Sequence, residues 1–314
     1  MSFILLIVGF GVLIKSADIL IDSASKLAQL FAIPSFIVGF SVVAFGTSAP
    51  ELAIGIFSGI KHNNLITLGD VLGSCIANIA LIIGICAIIR PITIEKSILY
   101  KEIPISFCVQ FLLLIMLTIG GVLSKIDAII LILLFILFLF YIYNRSKNTT
   151  DVLIKNEIEI KEDSETSKIK LVALLVISII GIILGGNLIV NSSTTIAHMF
   201  GLSDVLIGVT VVAIGTSLPE LVTSIVAAIK RQSDIAIGNI IGSNIFNILL
   251  VLGVSSFIYS IPKTEGINVD IFVMLFVTLV AFLVSLRRKE ISKLSGILLL
   301  TLYVLYMTYK VLFG

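Results

Sequence analysis

Two runs of Gly-Thr-Ser-x-Pro-Glu, at residues 46–51 and 215–220, each bring a carboxylate, two hydroxyls and two helix breakers together. Proline inside a helix removes a backbone hydrogen bond and crowds the preceding turn, and the glycine four positions earlier loosens the same turn. Backbone carbonyls around Ala44–Thr47 and Ala213–Thr216 are thereby partly released. The hydroxyls of Thr47, Ser48, Thr216 and Ser217 add further oxygens beside Glu51 and Glu220. Downstream of each run, Gly-Ser-x-x-x-Asn sets Ser74 with Asn78 and Ser243 with Asn247, four residues apart and so on one helical face. Carboxylates, hydroxyls, amide oxygens and carbonyls, without Cys or His, make a donor set for a hard cation. Calcium takes about six to eight such oxygens, and the same set can hold sodium.

The segments that carry these residues are copies of one another. An offset of 169 aligns Ile37–Gly84 with Leu206–Gly253 without a gap, and 22 of the 48 positions are identical. The same offset carries Asp18, Asp22 and Ser23 onto Asn187, Asn191 and Ser192, so the duplication extends into the flanking helices.

The surroundings are apolar. Hydrophobic residues make up 58% of the chain, charged residues 13%, and the mean hydropathy is +1.21. A soluble domain carries roughly a quarter charged residues, so this is an all-α polytopic membrane protein. At about 20 residues per span, ten transmembrane helices are expected, near 2–25, 36–60, 66–89, 100–121, 127–144, 169–197, 205–229, 235–259, 268–286 and 294–312. They form a first five-helix repeat (1–144), a cytoplasmic linker (145–168) and a second repeat (169–314). An odd number of spans per repeat turns the second half upside down relative to the first. Such inverted repeats, with broken core helices, place a substrate site near the bilayer midplane. There Glu51 and Glu220 fall mid-span. A charged side chain at that depth costs about 2.5–3.5 kcal/mol on insertion scales, and no Lys or Arg shares their depth. The functional reading is that an imported cation is the missing counter-charge. The alternative, that each Glu is protonated and hydrogen-bonded within the core, explains neither the duplication nor the surrounding oxygens.

Basic residues set the orientation. Lys61, Lys125, Lys263 and Lys310 lie on one side; the other side carries many more, including Lys26, Arg90, Lys96, Lys101, Arg145, Lys230 and Arg287–Lys289. The second side is expected to be cytoplasmic, which puts both termini outside the cell membrane. Asp18 and Asp22 lie three and four residues from Lys15 and Lys26, a spacing for local ion pairs. Cys75, Cys86 and Cys108 have no metal-ligand spacing and read as packing residues. His62 and His198 fall near span ends and read as interfacial. A net charge of +2 implies no nucleic-acid partner. There is no G-x-x-x-x-G-K-[ST] loop for ATP, and no histidine or lysine lies at the depth of Ser74 or Ser243 to make a hydrolase nucleophile. The chain reads as no enzyme.

GTSxPE followed by GSxxxN in each of two halves resembles the sodium/calcium exchanger branch of the calcium/cation antiporters. The resemblance covers essentially all ten spans. It implies a core of the second, third, seventh and eighth helices, across which the first and sixth slide to alternate access. It also implies that Glu51 and Glu220 are the central ligands, joined by Thr47, Ser48, Ser74 and Asn78 from one half and Thr216, Ser217, Ser243 and Asn247 from the other. Ala44 and Ala213 would offer carbonyls. Two positions depart from the family. Asn247 stands where some members have Asp, which leaves two carboxylates at the centre, enough to neutralise one calcium or two sodium ions. Asp70 stands where the second half has Asn239; it reads either as an external cation-attracting group or as an ordinary helix-start acid. The expected activity is exchange of calcium for sodium, with no cofactor beyond the transported ions and the lipid bilayer as surroundings. A proton/calcium exchanger and a passive cation channel are the alternatives.

Overall fold

In a computed structural model, residues 2–31, 33–155, 165–200, 213–264 and 266–313 are described. The central part of the linker (156–164) and the start of the seventh expected span (205–212) lie outside them. Helices dominate. We number them α1 (Ser2–Leu30), α2 (Ser35–Thr47), α3 (Ala49–Ile60), α4 (Leu65–Ile89), α5 (Ile98–Gly120), α6 (Lys125–Lys155), α7 (Glu165–Met199), α8 (Ala213–Thr216), α9 (Leu218–Ile229), α10 (Ser233–Ile258), α11 (Ile267–Leu286) and α12 (Lys293–Phe313). Eight described helices are long and apolar enough to cross a membrane, or nine when α2 and α3 count as one bent span.

The bends arise where the sequence places proline. α2 and α3 meet at Ser48 (φ −88°, ψ 9°) with a 47° change of direction, and Pro50 falls in the first turn of α3. α8 and α9 meet at Ser217 (φ −86°, ψ 3°), with Pro219 in the same place. Proline is well suited to a first turn, where its missing N–H has no intrahelical acceptor to lose. Both helices after the break then end alike. His62 (φ 56°) and Arg231 (φ 63°), 169 residues apart, adopt left-handed backbone, and the N–H groups of Asn63 and Gln232 return to Ser58 O and Ala227 O at 2.9 and 2.8 Å.

A second repeated irregularity follows. π-helical turns occupy Ala77–Ile82 within α4 and Asn247–Leu252 within α10. Such a turn inserts one residue into the helical ladder and recurs at functional sites. Here each begins at or beside the asparagine of Gly-Ser-x-x-x-Asn.

The chain forms two compact units, Met1–Thr47 with Ile136–Gly242 and Ser48–Phe135 with Ser243–Gly314, so each draws on both halves of the sequence. In the first unit α1 lies along α7, and a Cβ on Gly185 would stand 2.8 Å from Leu13 N. Leu13, Ala17, Leu20, Ile21, Ile182 and Ile189 form the adjoining core. α2 meets the start of α10 backbone to backbone: a Cβ on Gly238 would stand 2.6 Å from Phe36 O, and one on Gly242 2.9 Å from Phe40 Cα.

In the second unit α4 packs against α12 and α5 against α11. Two small antiparallel ladders tie the loops. β1 (Ile92–Thr93) pairs with β4 (Glu290–Ile291), and β2 (Val122–Leu123) pairs with β3 (Ile261–Pro262). Asp270, 5% exposed, receives the Tyr306 hydroxyl and the Lys310 ammonium, each at 3.0 Å, so this buried acid carries its own cation.

Candidate cation site

Each polar residue assigned to the cation site that has a described side chain is removed from the surface, while Asp70 is half-buried. Burying a polar group costs free energy unless a partner replaces water, so the partners matter. In the first unit Thr47 is fully buried, with its hydroxyl 3.0 Å from Asn239 Oδ1 and 3.3 Å from Ala44 O. Asn239 Nδ2 donates to Ser224 Oγ at 3.0 Å. Glu220, in the first turn of α9, is 1% exposed, and Thr216 and Ser217 are buried just before it. Ala213 begins α8; its carbonyl is the part of it that matters here.

In the second unit Glu51 is wholly buried in the first turn of α3, and Ser48, Ser74, Asn78, Ser243 and Asn247 are buried with it. Asn78 Nδ2 donates to Asn244 Oδ1 at 2.9 Å, while Asn78 Oδ1 has no hydrogen-bond partner among the described residues. Neither amide atom of Asn247 has one. Buried acceptors of this kind are what a bound cation satisfies, and the donor set is oxygen throughout, as a hard cation requires.

Other residues escaped the sequence reading. Asn239 and Ser224 hold Thr47, and Asn244 holds Asn78, across separations that no local spacing encodes. Asn64 donates to Ser255 O at 3.0 Å and to Tyr259 O, and Ser255 Oγ lies 3.3 Å from Thr67 Oγ1. Glu102, Ser106 and Gln110 form a buried polar row at four-residue spacing on α5, a spacing that puts all three on one helical face. Asp18 pairs with Lys15 at 3.2 Å, as the spacing suggested. Asp18 also lies 2.6 Å from Lys230, a partner from a distant helix end, and Asp22 pairs at 2.6 Å with Lys230 in place of the expected Lys26. Cys75 and Cys86 are packed inside, whereas Cys108 is exposed on α5, because its helical face turns outward. His62 stacks on Tyr259 with centroids 4.3 Å apart.

Comparison with known proteins shows the family. The sequence profile of the family described as Sodium/calcium exchanger protein matches residues 1–144 and 170–312. The chain belongs to the sodium/calcium exchanger family. It is 35% identical to the putative antiporter CaxA of Alkalimonas amylolytica, covering 96% of both chains. It is 31% identical to the sodium/calcium exchanger MaX1 of Methanosarcina acetivorans, covering 98% of this chain and 97% of that one. Its structure is similar to that of the sodium-calcium exchanger NCX_Mj soaked with zero sodium and calcium, with a TM-score of 0.84, 30% identity and 98% of each chain covered. NCX_Mj has also been solved with sodium and strontium present, and that form matches with a TM-score of 0.85 at 32% identity. This exchanger-family chain is thus a multi-pass membrane transporter of the calcium/cation exchange class.

Proposed function

We propose that the chain is a secondary antiporter that exchanges calcium for sodium by alternating access, with Glu51 and Glu220 as the two charged ligands. The observation that carries this reading is the matched pair of broken helices. Each places a buried glutamate one turn beyond the same Ser-x-Pro break, and buried asparagine oxygens without donors accompany Glu51. Thr47, Ser48, Ser74, Asn78, Thr216, Ser217, Ser243 and Asn247 complete the oxygen set, with the carbonyls of Ala44 and Ala213. Ten spans in two inverted repeats (1–144 and 169–314) joined by a cytoplasmic linker accommodate the arrangement, with both termini outside the cell membrane.

Coupling follows from electrostatics. If each uncompensated carboxylate costs about 3 kcal/mol in a closed, low-dielectric site, an empty carrier is disfavoured on the order of ten-thousand-fold against crossing. Loaded forms cross, and calcium and sodium compete for the same ligands. The inward sodium gradient then drives calcium out. The names of two relatives support this reading: MaX1 and NCX_Mj are both named sodium/calcium exchangers.

The deciding experiment uses purified chain in proteoliposomes and follows calcium flux under separate sodium and proton gradients. Calcium uptake driven by internal sodium, with none driven by pH alone, is the expected result. Flux driven by pH alone would assign proton exchange, and downhill flux without a counter-ion would assign a channel.

A further inference from the structure

We propose that Asn244 is a positioning residue that fixes which end of the Asn78 amide faces the ion, and that Cys75 leaves the equivalent amide of Asn247 unfixed. The proposal rests on the reading above that Asn78 and Asn247 supply oxygens to the cation.

The argument begins at a backbone carbonyl. Cys75 O accepts and cannot donate, and Asn244 Nδ2 approaches it at 3.2 Å. The Asn244 side chain must therefore turn its –NH2 toward Cys75, which leaves Oδ1 facing the other way. Asn244 Oδ1 accepts only, and Asn78 lies against it at 2.9 Å, so Asn78 must present Nδ2 there. What remains is Asn78 Oδ1, on a side chain 1% exposed and without a donor among the described residues. The polarity of one main-chain carbonyl is thus handed through two amides to a ligand oxygen. Reversing either amide would set two acceptors, or two donors, against each other.

The repeat makes a second such relay conspicuous by its incompleteness. Residue 75 is the counterpart of 244, and 78 of 247, under the offset of 169. The two counterparts reach for each other's carbonyls: Cys75 Sγ donates weakly to Asn244 O at 3.9 Å, mirroring the bond from Asn244 to Cys75 O. A thiol, however, has no carbonyl oxygen to receive the Asn247 amide. Asn247 is 0% exposed with both Oδ1 and Nδ2 lacking hydrogen-bond partners among the described residues. One asparagine of the pair is committed as an oxygen ligand; the other is free to present either end. Cys75→Asn should complete the missing relay and commit Asn247 as well.

Two double-mutant cycles in the full reconstituted chain test this. Asn244→Ala should raise the calcium KM several-fold, in the range expected for one misdirected neutral ligand, and should add nothing in an Asn78→Ala background. A merely structural contribution would add in both backgrounds, and that additivity would overturn the proposal. Cys75→Asn should lower the calcium KM, and the effect should vanish with Asn247→Ala; an unchanged KM for Cys75→Asn would also overturn it. The second cycle stands by itself if Asn244→Ala does not fold. The same cycles are read on the calcium-induced rise in thermal midpoint of the purified chain, which needs no transport. A wild-type chain that shows this rise but no sodium-driven flux refutes the antiport reading while leaving the relay to be scored. A chain with no rise from calcium or sodium refutes both.

Discussion

At the scale of single residues, Glu51 and Glu220 differ in setting from the buried Asp270. Asp270 has Tyr306 and Lys310 to answer its charge, so its burial is a matter of stability. Glu51 and Glu220 sit in first turns after a proline break, where the helix N-terminus favours an anion, amid hydroxyls and amides. Glu51→Gln and Glu220→Gln should each abolish sodium-dependent calcium flux while the protein still folds and elutes as the wild type does; wild-type flux in either would remove that residue from the site. Asp70→Asn should raise the calcium KM measured from the outer side if Asp70 draws cations in, and should leave it unchanged if Asp70 only starts a helix. These candidate residues stand out in the sequence because a duplication kept them in register in an apolar background. Their orienting partners do not. Asn244 and Asn239 look like ordinary helix residues until α10 is folded against α4 and α2, and the Lys230 pairing of Asp18 and Asp22 spans 212 and 208 positions.

At the scale of elements, composition placed nine of the ten expected spans, with α2 and α3 taken as one and the start of the seventh outside the described residues. It did not place their breaks in register. Proline and glycine announced the bends at Ser48 and Ser217, and these occur with nearly the same dihedral angles. No sequence signal announced the π-turns at Ala77–Ile82 and Asn247–Leu252, because a single inserted residue leaves hydropathy unaltered. The close approach of α2 to α10 depends on glycine at 39, 238 and 242. Gly238→Val should force those helices apart: the first added carbon already falls 2.6 Å from Phe36 O. A loss of about 1–3 kcal/mol is expected for overpacking, measurable as a lower thermal midpoint of the purified protein. Gly69→Ala, at the repeat counterpart of Gly238 where a Cβ meets nothing within 4 Å, serves as the control and should leave the midpoint near the wild-type value.

At the scale of the whole molecule, the distribution of basic residues and the odd number of expected spans lead independently to opposed halves. A tag on the C-terminus should react with a membrane-impermeant reagent on intact cells, as should one on the N-terminus, while an introduced Cys in the 145–168 linker should react only after permeabilisation. Labelling of the linker from outside would reverse the assigned orientation. The compact units themselves could not be read from the sequence, because each is assembled from segments of both repeats.

That interleaving governs how the molecule is made. Ile92 in β1 waits for Ile291 in β4, and Asn78 waits for Asn244. A ribosome adding about 5–20 residues per second needs on the order of ten seconds or more to bridge such gaps. Throughout that interval the nascent first half must lodge Glu51 and the amide of Asn78 in the bilayer without the contacts that later house them. Biogenesis, as much as transport, therefore places a demand on whatever shields those groups until the second half arrives.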